Sequence, residues 1–226
     1  TDRSRRLANV LTRHGIGCQR ERADLQPWES GQDHVGLYLY NTNEYLEGML
    51  GAYKARAVPF NVNYRYVEEE LIYLLNNART RVLIFHASLA SHVATVRARV
   101  PTLSLLIQVN ETDSSEPLLD GAIEYEALLA SVDASRPDLD WKPDDLYMLY
   151  TGGTTGMPKG VLWRQGDVLV GALGGRRSNG EVLDSVDEFL ERAEHNQLRH
   201  LPAAPFMHGA GHWVAFQAFN TGGTVI

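Results

Sequence analysis

A glycine- and threonine-rich segment, YTGGTTGMPKG at positions 150–160, most constrains what this chain can fold into. It follows an uncharged apolar run at 146–150, which predicts a buried strand that ends where the glycines begin. Glycines adopt positive φ and let the backbone approach a ligand closely, so that successive N–H groups can converge on an anion. The segment therefore predicts a strand that leads into a phosphate-binding loop.

The polar side chains of this loop have predicted roles of their own. Threonine hydroxyls can donate to phosphate oxygens or bind Mg²⁺, and Lys159 adds a full positive charge for the outer phosphates. Pro158 fixes its own φ and so restricts the direction in which the lysine leaves the loop. The predicted nucleotide-binding residues are Thr151, Gly152, Gly153, Thr154, Thr155, Gly156 and Lys159.

Spacing excludes two other phosphate-binding loops. A Walker A loop, G-x-x-x-x-G-K-[ST], counted from Gly153 would place Pro158 at its second glycine and Gly160 at its Ser/Thr position. The segment also lacks the G-x-G-x-x-G pattern of a dinucleotide-binding turn. A flexible surface loop remains as an alternative, although flexibility does not explain three threonines, a proline and a lysine in this order.

Composition and charge narrow the class of protein. The chain has 226 residues, of which 44% are hydrophobic and 22% charged, as in globular domains. A net charge of −7 without a basic cluster argues against nucleic-acid binding. The sequence has no signal peptide and no apolar run of membrane-spanning length, so we expect a cytoplasmic protein without a transmembrane segment. The single cysteine, Cys18, excludes an intramolecular disulfide and a cysteine-built metal site.

Helical and strand patterns alternate along the chain before the loop. Helices are predicted at 4–15, 43–57, 67–78, 89–100 and 122–131, and strands at 34–40, 81–86, 103–109 and 146–150. Asn43 is expected to cap the second helix, Val67 to face inward from the third, and Asp167 to cap a helix after the loop. This alternation predicts an α/β fold, a layered and mostly parallel sheet with helices on both faces.

A second candidate site contains two histidines four residues apart, His208 and His212. The spacing matches the zinc motif H-E-x-x-H, but Gly209 stands where the glutamate belongs and Gly-Ala-Gly is a poor helix former. We therefore expect His212 to be structural. For His208 two interpretations stay open: a substrate-lining residue, or a hydrogen-bonded histidine at a helix start with aromatic packing behind it.

The loop closely resembles the signature Y-T-S-G-T-T-G-x-P-K-G of the adenylate-forming superfamily, which includes acyl-CoA and aryl-CoA synthetases, luciferases and nonribosomal adenylation domains. Gly153 departs from this signature, where serine is commonest. The segment from Pro205 to Gly211 resembles the superfamily's P-x-x-H-x-x-G region. The resemblance implies that Thr154 contacts magnesium, that Lys159 steadies the departing pyrophosphate, and that His208 shapes the path of the acyl and pantetheine groups.

By this resemblance, the chain is an incomplete N-terminal region of an acyl-CoA synthetase that uses a small-molecule carboxylic acid, Mg²⁺-ATP and coenzyme A. Residues 1–132 would form a first α/β portion, 133–145 a linker, and 146–226 the phosphate loop and the start of the acyl pocket. The small C-terminal lid would be absent, so we expect the chain alone to bind triphosphate weakly and not to complete adenylation. Peripheral membrane contact stays open.

Two alternatives remain at this stage. One is an adenylation module of a carrier-protein or luciferase-type enzyme, which would share the loop. The other is a non-catalytic nucleotide-binding protein.

Overall fold

The main sheet has seven strands in the computed structural model, which describes residues 1–111, 116–152 and 156–226. The strands are β1 His34–Tyr38, β2 Val58–Asn61, β3 Thr80–His86, β4 Leu105–Val109, β5 Ala122–Glu124, β6 Leu146–Thr151 and β7 Lys159–Arg164. Within the described ranges the α-helices are α1 Asp2–Arg13, α2 Asn43–Lys54, α3 Glu68–Asn77, α4 Ala90–Val96, α5 Tyr125–Ala130, α6 Gln165–Ala172, α7 Val186–His195 and α8 Gly209–Asn220. Two further strands, β8 Arg199–His200 and β9 Thr224–Val225, pair in parallel as a separate small sheet.

The order of the main sheet is β5-β4-β3-β1-β2-β6-β7, and every pair is parallel except β6 with β7. The predicted mostly parallel α/β fold is therefore confirmed. The chain adds β2 on one side of β1 and then crosses to add β3 on the other side. Because parallel strands end at the same edge, the carboxyl ends of β1, β2, β3 and β6 lie together, where open α/β sheets place their ligands.

Helices cover both faces of the sheet, as predicted. One buried cluster joins a face of the sheet to α1, α2, α5, α6 and α8, and the other joins the opposite face to α3 and α4. The side chains of β6 alternate between them: Tyr147 and Leu149 belong to the first cluster, Met148 and Tyr150 to the second. The alternation matters for the loop, because it determines which helices share a face with each loop residue.

Several local predictions were wrong. Asn43 does not cap α2; Thr42 occupies the N-cap position, and the Asn43 amide donates to Glu44 and Glu47. Val67 does not face inward but is 63% exposed, because it lies at the N-cap of α3 before the amphipathic turns begin.

Two further boundaries also differ. Asp167 lies within the first turn of α6, where its carboxylate accepts a hydrogen bond from Arg164, the actual N-cap residue. The predicted helix at 122–131 begins with the three residues of β5, which pair with β4 before α5 starts. The strand β2 was not predicted, since Val58–Asn61 is short and contains a proline.

A buried ion pair holds the start of β6. Arg56 donates to both carboxylate oxygens of Asp145, at 2.8 Å for the shortest contact, and the two side chains are 8% and 5% exposed. Arg56 also donates to Glu21 at 2.8 and 2.9 Å. A buried charge pair is costly to break, because the remaining partner would lack compensation. The amino end of β6 is thus fixed to the loop before β1 and to the second residue after α2.

None of the helices in the described part of the chain has the length and apolar character that a membrane crossing requires.

Candidate functional site

The predicted loop is the tip of a β-hairpin formed by β6 and β7. Leu146–Tyr150 is buried as predicted, and Thr151 emerges at the surface as the last residue of β6. Thr151 pairs directly with Lys159, the first residue of β7. Gly153, Thr154 and Thr155 lie outside the described residues, so their predicted contacts with phosphate and magnesium stay predictions.

The glycines that the structure describes in the loop have different roles. Gly152 and Gly156 are exposed, and Gly156 has a φ of +154°, which side chains other than glycine rarely adopt. Gly160, by contrast, has a packing role, because a Cβ there would lie 2.9 Å from the ring of Tyr150. The hairpin stem thus requires a glycine for close contact, and the tip requires one for its backbone conformation.

Lys159 presents an unpaired charge beside the loop. Its side chain is exposed and forms no hydrogen bond or ion pair with any residue that the structure describes. Residues directly opposite each other in a ladder share a sheet face. Since Thr151 continues the alternation of Tyr147 and Leu149, Lys159 and Thr151 lie on the face that carries α8.

Asn61, the last residue of β2, joins the loop to the His208 segment. Its side-chain amide donates to the carbonyls of Tyr150 at 2.9 Å and Met207 at 2.7 Å, and its carbonyl accepts from the Tyr150 N–H at 2.8 Å. Asn61 is 6% exposed, so these hydrogen bonds are shielded from water. One side chain therefore holds Tyr150, the first residue of the loop segment, next to Met207, the residue before His208.

Asn41 provides a second link to the same segment, from just beyond β1. Its side-chain oxygen accepts from the Phe206 N–H at 2.7 Å, and its amide donates to the Ala204 carbonyl at 3.4 Å. Neither Asn41 nor Asn61 was predicted as a site residue. The available signal was a polar amide immediately after an apolar run at each of two strand ends.

His208 occupies the N-cap position of α8, as predicted for a residue at a helix start. Its side chain is exposed and does not cap the helix, so the ring is free to face a ligand. Gly209 lets α8 approach β6 closely, because a Cβ there would lie 3.0 Å from Leu149. The helix therefore begins on the same face as Thr151 and Lys159.

His212 is structural, as predicted. It is 1% exposed, its Nδ1–H donates to the Phe206 carbonyl at 2.7 Å, and its Nε2 accepts from the Tyr147 hydroxyl at 2.5 Å. Trp213 completes this network by donating to the Tyr147 oxygen at 3.0 Å. Burial lowers the pKa of His212 to about 4, so the ring is neutral. With His212 buried and His208 exposed, the two do not form a zinc site.

Three aromatic residues of α8 have different environments. Phe216 is 5% exposed within the core, Trp213 packs edge-on against Trp163 at a ring separation of 6.1 Å, and Phe219 is 40% exposed. Trp213 and Phe216 therefore stabilise the position of α8 against β6 and β7.

Replacing Asn61 by aspartate tests the link between the two parts of the site. The carboxylate would face two backbone carbonyls that now accept hydrogen bonds, so we expect the free energy of unfolding to fall by at least about 2 kcal/mol in urea denaturation. The matched control is Asn63→Asp, because the side chain of Asn63 only accepts a hydrogen bond, from the Arg65 N–H. Equal losses in the two variants would contradict the role of Asn61.

His212 predicts a pH dependence of stability. Its folded pKa of about 4 lies below the ordinary value near 6.5, so only the unfolded state gains the proton as pH falls through this window. The free energy of unfolding should therefore decrease between pH 7 and pH 5. In His212→Gln we expect lower stability at pH 7 but a decrease smaller by about 2 kcal/mol, measured by urea denaturation.

The control for this measurement is His195→Gln, which replaces an exposed histidine of α7. It should retain the full decrease between pH 7 and pH 5. Burial also lowers the pKa of His34, and this histidine contributes in the same direction in every variant. An undiminished decrease in His212→Gln would contradict the assignment.

Comparisons with known proteins match the whole chain. A family model described as AMP-binding enzyme matches residues 1–226. The medium-chain acyl-CoA ligase Mig of Mycobacterium avium is 50% identical over 100% of this chain and 41% of its own length. The 3-oxocholest-4-en-26-oate–CoA ligase of Rhodococcus rhodochrous is 40% identical over 100% of this chain and 39% of its own length.

Among solved structures, the inhibitor-bound N-terminal domain of FACL13 from Mycobacterium tuberculosis has a TM-score of 0.73 to this chain. The two are 24% identical, and the comparison covers 100% of this chain and 48% of that one. The likeness confirms the fold. The chain spans about two fifths of the length of the two curated relatives.

Proposed function

The chain belongs to the family of AMP-binding enzymes, and on this premise we propose that it is the phosphate-loop portion of an ATP-dependent acid–CoA ligase. A carboxylate oxygen attacks the α-phosphorus of ATP, and the bond to pyrophosphate breaks to leave an acyl-adenylate. The sulfur of coenzyme A then attacks the acyl carbon, and AMP leaves. The observation that carries this proposal is the Asn61 link, which brings the loop and the His208 segment to one edge of the sheet.

The first step joins two anions, so the protein must neutralise charge and align the reacting groups. Lys159 suits this task because its charge is unpaired and its position is fixed by the backbone pairing with Thr151. We assign it to the outer phosphates of ATP and to the departing pyrophosphate. The backbone N–H groups and hydroxyls of the loop would bind the remaining phosphate oxygens.

Magnesium fits this site as a companion of the triphosphate. No group of three or more His, Cys, Asp or Glu residues within the described ranges could hold a metal by itself. Hydroxyl ligands such as Thr151, and by resemblance Thr154, suit an ion that keeps phosphate and water oxygens in its coordination sphere. When bound, Mg²⁺ would supply further charge neutralisation at the phosphates.

The acid is assigned to the space beside the start of α8. His208 stands exposed there, and Gly209 keeps the backbone close to β6. The curated relatives are named for medium-chain acids and for a steroid acid. We therefore propose an apolar carboxylic acid as substrate, coenzyme A as acyl acceptor and a cytoplasmic location, where ATP and coenzyme A are both abundant.

Lys159→Ala tests the phosphate assignment in the purified 226-residue chain. Loss of a charge-assisted contact should raise the Kd for Mg²⁺-ATP about tenfold, measured by isothermal titration calorimetry. The control Lys142→Ala removes an exposed lysine that pairs with Asp140, and should leave the Kd within about twofold. An unchanged affinity in Lys159→Ala would overturn the assignment.

His208→Ala tests the assignment of the acyl path. We expect its Kd for octanoyl-sulfamoyl adenosine, a stable mimic of an acyl-adenylate, to rise about tenfold while its Kd for Mg²⁺-ATP changes less than about twofold. His195→Ala serves as the matched control, as an exposed histidine on α7. Equal effects of His208→Ala on both ligands would indicate a general structural role instead.

A further inference from the structure

A cavity of about 400 Å³ lies at the opposite edge of the main sheet from the phosphate loop. Lys54, at the end of α2, and Gln165, at the start of α6, both line it. The Gln165 amide donates to the carbonyl of Leu146, the first residue of β6. Since β6 then runs its whole length to Thr151, roughly 20 Å of strand separates this cavity from the loop.

Three cations line the cavity: Arg5 of α1, Lys54 of α2 and Arg136 of the segment before β6. No aspartate or glutamate lines it in the part of the chain that the structure describes. The lining is therefore positively charged, although the protein has a net charge of −7. Such a lining is suited to an anion.

Few of these positive charges are neutralised within the described residues. Lys54 donates only to the Ser4 hydroxyl, at 2.6 Å, and Arg136 stacks over the ring of Trp141 at 4.6 Å without a carboxylate partner. Arg5 has one partner, Asp2, at 3.8 Å. The Asp2 side chain is 75% exposed, so this contact is weak.

One perturbed pKa, that of Lys54, agrees with an unmet positive potential. Burial, and then the charge of Arg5, lower the pKa of Lys54. Burial raises the pKa of Tyr53, which also lines the cavity, so its phenol stays neutral and adds no negative charge. A bound anion would therefore relieve the repulsion between Arg5 and Lys54.

We propose that this cavity binds a small phosphate-bearing anion at a site separate from the phosphate loop. Three convergent cations match a phosphate dianion or a diphosphate better than a single carboxylate charge. The cavity volume lies at the lower end of the range for small-molecule sites, and the rings of Tyr53 and Trp141 give apolar walls for an organic portion. The proposal does not depend on the activity assigned to the loop.

The test uses inorganic pyrophosphate as probe and the 226-residue chain carrying Lys159→Ala, in which the loop site is weakened. Isothermal titration calorimetry should give one site with a Kd below about 1 mM. Adding Arg136→Gln should raise this Kd about tenfold, and adding Lys54→Gln as well should raise it about a hundredfold. Arg136 lies in a loop segment, so its replacement should leave the far-UV circular dichroism unchanged.

Lys142→Gln is the matched control, because it removes the same charge from a nearby lysine that does not line the cavity. Its Kd should stay within about twofold of the Lys159→Ala parent, and acetate should bind at least about tenfold more weakly than pyrophosphate. Absence of binding, equal weakening by Lys142→Gln and Arg136→Gln, or equal affinity for acetate would each overturn the proposal. Absence of binding here would leave the Lys159 assignment untouched, since that assignment is measured with Mg²⁺-ATP in the chain with its native lysine.

Discussion

The amide of Asn61 is the interaction on which the candidate site depends. An asparagine side chain both donates and accepts, so one residue can satisfy the N–H and the carbonyl of Tyr150 and still donate to Met207. An apolar residue of similar size would leave these backbone groups unpaired in the interior, and a buried unpaired polar group is costly. The loop and α8 are therefore positioned by a hydrogen-bonding requirement as well as by apolar packing.

The topology of the parallel sheet explains why residues at the ends of β1 and β2 form the hydrogen bonds that position the loop and α8. The carboxyl ends of β1 and β2 lie at the edge where β6 emerges, so residues just beyond those strands can reach the segment before His208. The other end of β6 is held by the buried pair of Arg56 and Asp145. With both ends of β6 held, the hairpin has a defined position, while Gly152 and Gly156 on either side of its turn remain exposed.

The sequence predicted the parts of the fold that have a local pattern. The apolar run of β6, the glycines that follow it, the helix start at His208 and the burial of His212 can each be recognised from neighbouring residues. Asn61 and Asn41 could not be recognised this way, because their partners lie 89 to 165 residues away in sequence. Short elements were also missed: β5 has only three residues, and a proline in β2 argues against a strand. The N-cap errors at Asn43 and Asp167 arose because a suitable cap residue stood one to three positions inside the helix that actually formed.

The location of Lys159 within a strand, and not within the turn, has an evolutionary consequence. Residues gained or lost between Gly152 and Pro158 would change the size of the turn without altering the pairing of Lys159 with Thr151. One residue gained within β7 on the far side of the lysine would instead shift the ladder and turn the ammonium group to the opposite surface of the sheet. Length variation among homologous proteins should therefore be rare along the second strand of this hairpin.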